Sequence, residues 1–306
     1  MKAVELMVQF LFLCIIAPLV SGIIAKVKNN LRMRKGAPVL QPYYNLIKLA
    51  SKDEVVSATT SWVFRIAPVI VLASSLAALL LAPAFVSANS ANAAGDVLAI
   101  LFIFALGRFF MALAGLDAGS SFGGMGSSRE MFIASFAEPC ASLAVFSLFL
   151  RSGSTNPEFL AHAGTLNAGT IFAGLCLMMV IIAETSRLPV DNQETHLELT
   201  MVHEAMVLEY SGRALAFIEA GSYIKQIVWF GILAHILLPA TVSFSAGLVP
   251  VVTAVMFFFG RIVVLALIVA VLEVVIAKLR LFRVPDYFGF AAVFGLFAVI
   301  SSLMGI

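Results

Sequence analysis

The stretch Ala183–Gly212, AETSRLPVDNQETHLELTMVHEAMVLEYSG, decides how the whole chain is read. Long, mostly apolar sequence lies on both sides of it. From Glu184 to Gln226 the chain carries Glu184, Asp191, Glu194, Glu198, Glu204, Glu209 and Glu219, seven of its 17 acidic residues. It also carries His196 and His203, two of its four histidines. Carboxylates next to a membrane are costly, so acid gathered beside apolar helices marks a functional site.

The flanking sequence sets the class. Only 12% of the 306 residues are charged, about half the share of a soluble domain, and 61% are hydrophobic. The apolar runs are long and do not alternate, which predicts an all-α membrane protein rather than a β-barrel. The net charge of +2 gives no basis for nucleic-acid binding. Cys14, Cys140 and Cys176 lie inside apolar runs without metal or disulfide spacing and read as core residues.

Eight spans are expected, at about 4–25, 64–86, 97–116, 131–150, 168–183, 224–244, 249–272 and 287–306, in a single polytopic domain over residues 1–306. The first run ends without a small-x-small cleavage site and is followed by Lys26 and Lys28, so it reads as a retained span. Tyr43–Ala50 suits a short interfacial helix, and Trp62 an interfacial anchor. Cytoplasmic loops are expected at about 26–63, 117–130, 184–223 and 278–286. These loops and their borders hold 15 of the 19 basic residues, while Lys2 and Arg151 lie on the other side. By the positive-inside rule both termini face outward, the periplasmic side in a cell inner membrane.

Arg108, Glu138, His235 and Arg261 fall inside spans, with Glu184 and Glu273 at span ends. Arg108 and Glu138 are each about eight residues from the cytoplasmic end of their span, hence about 12 Å deep at the helical rise. An ion pair between them is expected, with the other groups forming a polar axis into the membrane; the alternative is a set of static ties between helices. Asp191, Glu194 and Glu198 are spaced to share one face of a helix that Pro189 would open. Clustered carboxylates favour proton exchange nearer neutral pH. His196 and His203 lack a third ligand at suitable spacing, so no metal site is expected. The five glycines of Gly115–Gly126 follow no strand and read as a flexible loop packed against a partner, not a phosphate cradle.

Three segments in order carry a family resemblance: Arg32–Glu54 (RMRKGAPVLQPYYNLIKLASKDE), Gly115–Glu130 (GLDAGSSFGGMGSSRE) with Glu138-Pro139 eight residues on, and the opening stretch. Together they resemble the H-type membrane subunit shared by respiratory NADH dehydrogenases (the complex I subunit 1 family) and energy-converting group 4 hydrogenases, including formate hydrogenlyase. The resemblance implies a subunit that anchors a peripheral redox arm and lies between it and antiporter-like membrane subunits. It implies no redox centre in this chain, with iron–sulfur clusters and a nickel–iron site in partner subunits. Glu138 matches the family's intramembrane glutamate, and Glu184, Arg187, Asp191, Glu194 and Glu198 its acidic loop; Gln41, Pro42 and Lys48 match its first loop. Proton or sodium coupling is then expected to involve these acids with Arg108, Arg187, Arg261 and His235. Arg34, Gln41, Lys48 and Glu204 are expected to meet the redox arm. The first loop lacks the longer pattern of the quinone-reducing enzymes, and Thr195 and His196 stand where that pattern has Gly and Glu. These departures favour the hydrogenase-type branch and leave quinone binding open. A quinone-site subunit of an NADH:quinone oxidoreductase and a stand-alone ion transporter are the competing readings.

Overall fold

A computed structural model of the chain describes residues 2–57, 59–82, 96–153, 167–191, 201–238 and 248–305. The described residues form helices and connecting turns without strands. In order these are α1 (Lys2–Leu31), α2 (Gln41–Ala50), α3 (Trp62–Leu81), α4 (Val97–Asp117), α5 (Ser121–Ser152), α6 (Ala168–Glu184), α7 (His203–Val207), α8 (Gly212–Leu237), α9 (Leu248–Val275) and α10 (Val284–Met304). A 3-10 turn, Leu281–Arg283, leads into α10. Seven of these helices are long and apolar enough to cross a membrane, and the 17-residue α6 supplies an eighth apolar segment. The chain is therefore a multi-pass, all-α membrane protein of about eight spans.

The bundle is built around α8, which packs against α1, α2, α3, α6 and α9. Two-thirds of its apolar window (67%) is buried, against 22% for α10 at the rim. Trp229 and Phe230 of α8 are fully buried, and Trp229 stacks on Phe104 of α4 at 5.8 Å. The helices α5, α6 and α10 pack against one another on one flank, while α1 and α9 pair on the other. On the first flank, Cys176 donates to the Cys140 carbonyl at 3.4 Å and Cys140 to the Phe288 carbonyl at 3.6 Å. Both cysteines are thus buried core residues, as their apolar settings suggest.

Several helices run past the limits that hydropathy sets. Helix α1 continues through Lys26 and Lys28, and α8 begins at Gly212, twelve residues before the expected span. The glycine-rich segment expected as a loop is helical but for a short break: α4 runs to Asp117 and α5 begins at Ser121. Ser120 caps α5 by accepting the Gly123 amide at 3.1 Å. Here the glycines bring helices together, since a Cβ on Gly123 would collide with the Gly115 carbonyl. Gly212 opens α8 with φ +52°, and any side chain there would strike the Asp53 carbonyl in the connection before α3. Asp117 caps α3 from across the bundle, taking the Ser61 and Phe64 amides at 2.8 and 3.3 Å. The expected interfacial helix is present as α2, with Tyr44 and Ile47 exposed, and it is tied to α1 by the Tyr43 hydroxyl donating to the Ile15 carbonyl. Trp62 is exposed at the start of α3, as an anchor should be.

Candidate functional site

Helix α6 stops because its apolar run stops: Ala183 is followed by Glu184, Thr185 and Ser186, and Ser186 turns the chain with a positive φ of 52°. The segment that follows folds inward. Arg187 and Asp191 are only 8% and 2% exposed. Residues 188–190 form a turn, and the helix expected after Pro189 falls almost wholly on residues outside those described. Asp191 faces the interior, accepting from Lys278 Nζ at 3.0 Å and from the His203 amide at 3.1 Å. The expected face shared with Glu194 and Glu198 falls on residues outside those described, as does His196.

Two buried carboxylates organise the rest. Glu184 accepts from Arg108 Nη1 on α4 and is paired with Lys225 Nζ on α8 at 2.7 Å. Arg108 also donates through Nη2 to Glu138 Oε1 on α5 at 2.5 Å, so the ion pair expected from depth is present. Glu273, near the end of α9, accepts from Arg187 Nη1 at 2.5 Å and lies 3.0 Å from Lys28 Nζ of α1. Arg187 Nη2 donates to Gln226 Oε1 on α8 at 3.0 Å. Thus Glu184 and Glu273 are each clasped by one arginine and one lysine drawn from distant parts of the chain. Buried charges persist when paired and hydrogen-bonded in this way.

The two groups meet at a cavity between α3, α4 and α8. Arg108, Glu184, Arg187, Tyr223, Lys225 and Gln226 line it, with Glu130 and His203 at its wall. Its volume of about 90 Å³ is enough for several waters. Tyr223 donates to Glu219 at 3.0 Å beside it. The short helix α7 closes this region, carried by the stack of Tyr210 on Phe64 at 4.0 Å and by the Tyr210 hydroxyl donating to the Phe64 carbonyl at 2.9 Å. Burial pushes the Tyr210 hydroxyl well above the usual phenol range, so it stays a donor. Among the described residues no cluster of His, Cys, Asp and Glu is disposed to hold a metal ion.

The other expected residues divide. Arg261 donates to the Leu238 carbonyl at 3.1 Å and lies over the Phe257 and Phe258 rings at 5.2 and 5.8 Å. His235 lies 2.8 Å from the Gly231 carbonyl and beside Phe258. Both thus meet backbone carbonyls and aromatic rings at the packing of α8 and α9. Arg34 and Lys48 are exposed, Gln41 is half-buried and donates to Asn45 at 2.9 Å, and Glu204 is half-buried on α7. Sequence reading missed Lys28, Lys225, Gln226 and Lys278 as site residues and left Glu273 at a span end. The available signal was their place within a turn or two of a hydropathy boundary.

Comparison with known proteins places the chain. The family model described as NADH dehydrogenase matches residues 4–303. The chain is similar to formate hydrogenlyase subunit 4 of Escherichia coli K12, with 31% identity over 93% of this chain and 95% of that one. It is also similar to hydrogenase-4 component C of the same organism, with 29% identity over 89% and 87% of the two chains. The H-type subunit of the NADH-quinone oxidoreductase of Bordetella avium is 29% identical over 62% of this chain and 57% of its own. Among solved structures, a chain of the membrane-bound sulfane sulfur reductase, an archaeal respiratory membrane complex, superposes with a TM-score of 0.85 over 98% of both chains at 15% identity, which shows a shared fold. From the near-complete family match and these relatives, the chain belongs to the NADH dehydrogenase family of H-type membrane subunits, on its hydrogenase-type branch.

Proposed function

We propose that this chain is the membrane subunit of an ion-translocating oxidoreductase complex of hydrogenase type, coupling electron transfer in partner subunits to movement of protons or sodium ions. The observation that carries the reading is Arg108 bridging Glu184 and Glu138. Glu184 lines the cavity together with Arg187, where the segment that follows α6 folds inward. Glu138 lies on the far side of Arg108, within a span. The pair of bonds gives a change at the loop end a short electrostatic path into the membrane. If a partner's redox step shifts the loop or its charge, the hold of Arg108 and Lys225 on Glu184 changes, and Arg108 passes the change to Glu138. Protonation of either acid then alters its hold on the shared guanidinium.

In this reading the chain holds no redox centre of its own. Iron–sulfur clusters, and a nickel–iron site, lie in peripheral subunits that rest on the exposed Arg34 and Lys48 together with Gln41 and Glu204. Antiporter-like subunits complete the membrane part. Both termini face the outer side of the cytoplasmic membrane, so the loop carrying Arg34 faces the cytoplasm. The carboxylate route itself requires no quinone.

The deciding measurement is ion movement per electron in sealed vesicles holding the complex with Glu138→Gln. The expected result is redox turnover with ion transport reduced at least about tenfold, the loss expected for a group that must change charge. Unchanged pumping would sink the proposal. Labelling of single cysteines at Met1 and Lys48 from each side of the vesicle tests the orientation.

A further inference from the structure

Arg108 and Arg187 each meet a carboxylate, whereas Arg261 is 8% exposed and pairs with no carboxylate among the described residues. The sequence gives the reason: from Gln226 to Leu272 the ionisable side chains are His235 and Arg261 alone, two bases and no acid. The position is deep. Helix α9 has 28 residues, about 42 Å at the helical rise, and Arg261 stands near its middle. Each end is about 20 Å away, and Glu273 about 18 Å. A hydrocarbon core is about 30 Å thick, so the guanidinium lies well inside it, where an uncompensated charge is costly.

What holds Arg261 is the end of another helix. Helix α8 stops at Leu237, and Arg261 Nη1 donates to the carbonyl of the next residue, Leu238, at 3.1 Å. Phe257 and Phe258 cover the guanidinium, and its Nε has no hydrogen-bond partner among the described residues. The last carbonyls of α8 are the negative pole of its peptide dipoles, worth roughly half an elementary charge. The guanidinium brings a full positive charge, so the pole is overcompensated and roughly half a positive charge remains. This charge stands beyond the carboxylates along α8. From the cavity the helix carries Lys225 and Gln226, then the fully buried Trp229, Phe230 and Leu233, then His235, and then the terminus that Arg261 covers. Phe258 touches both His235 and Arg261.

We propose that Arg261 is an electrostatic barrier, whose permanent charge stops protons and sodium ions from leaking across the membrane along the packing of α8 against α9. The barrier is a function separate from coupling and requires only that the chain spans the membrane. Three properties fit it. An arginine stays charged at any working pH, so it repels cations at all times and cannot itself relay a proton. The bare pole of α8 would draw cations inward, and the full charge reverses its sign. A carboxylate partner would cancel that charge, and the surrounding sequence supplies none. A static tie to one carbonyl needs no charge at all, since a neutral amide or hydroxyl makes the same bond at far lower cost in lipid.

The test measures passive ion flow through the resting complex in sealed vesicles, without electron donor, under an imposed membrane potential. Arg261→Met keeps an unbranched side chain against the two rings and removes the charge. It should raise proton flow about tenfold or more over the unchanged complex and leave chloride flow at its baseline. Arg261→Lys separates charge from packing. An ammonium can give up its proton where a guanidinium cannot, so this variant should be tight in acid and leak increasingly as the pH rises. Proton flow in Arg261→Met equal to that of the unchanged complex would overturn the proposal. So would a leak that passes chloride as readily as protons, or an Arg261→Lys variant as leaky as Arg261→Met at every pH, since both mark a packing defect. The readout involves no turnover and so stands apart from coupling. A leak in Arg261→Met together with unaltered pumping in Glu138→Gln keeps the barrier and loses the coupling route, and the converse loses the barrier alone.

Discussion

Glu184 and Glu273 invite direct comparison. Each is a buried carboxylate held by one arginine and one lysine, and each joins spans from distant parts of the chain. They differ in what lies beyond the arginine. Behind Glu184, Arg108 reaches a second acid, Glu138, that opens to the outside of the bundle. Behind Glu273, Arg187 reaches the neutral amide of Gln226, which is buried. The same local chemistry is thus open-ended in one group and closed in the other. An open-ended group can hand a change of charge onward, while a closed one fastens helices together.

The comparison is broken most severely by deleting either hub. Glu273→Ala strands both Arg187 and Lys28 in the interior and should cost about 3–5 kcal/mol, seen as a large loss of the thermally stable complex in detergent. Glu184→Ala strands Lys225 but leaves Arg108 paired with Glu138, so its loss should be the smaller of the two, and the reverse order would show that the groups are not closed and open-ended as described. A smaller effect separates the groups by function. Gln226→Met removes the amide behind Arg187 and should cost about 1.5–3 kcal/mol, a hydrogen bond to a charged group, without changing ions moved per electron. Glu273→Gln keeps the shape of the closed group and should likewise leave that ratio unchanged, in contrast to Glu138→Gln. The smallest stability effect belongs to Glu138→Gln itself. With the carboxylate half exposed, its loss should shift unfolding of the isolated chain in detergent by less than about 1 kcal/mol. A silent stability change with failed transport is the pattern expected of an open-ended group.

Much of this was legible in the sequence. The eight apolar segments follow from hydropathy, and the Arg108–Glu138 pair from counting residues inward along two adjacent spans. The helix ends were not legible, for a physical reason. Lys28 and Lys225 read as loop charges because a hydropathy profile treats every lysine as solvated. Both instead lie on helices that continue, because Glu273 and Glu184 await them inside. Partners so far apart along the chain leave no periodic trace. The glycine-rich segment misled in the opposite direction: Gly115 and Gly123 look like loop formers, yet serve to let α4 and α5 touch. Arg261 and His235 show the limit of reading depth alone, since depth does not foretell the backbone carbonyls and rings that these two groups meet.

The short length of α6 has one more consequence. Its 17 residues span about 25 Å, less than a hydrocarbon core, so it ends among its neighbours rather than at the membrane surface. The negative pole of its peptide dipoles, roughly half an elementary charge, is placed there beside Glu184. No basic residue lies in the last turn of α6 itself, yet Arg108 and Lys225 converge on that terminus from other helices, and Arg187 follows directly after it. The terminus acts as a fixed partial anion that needs no titration. Movement of that single turn would change the potential felt by all three cations at once.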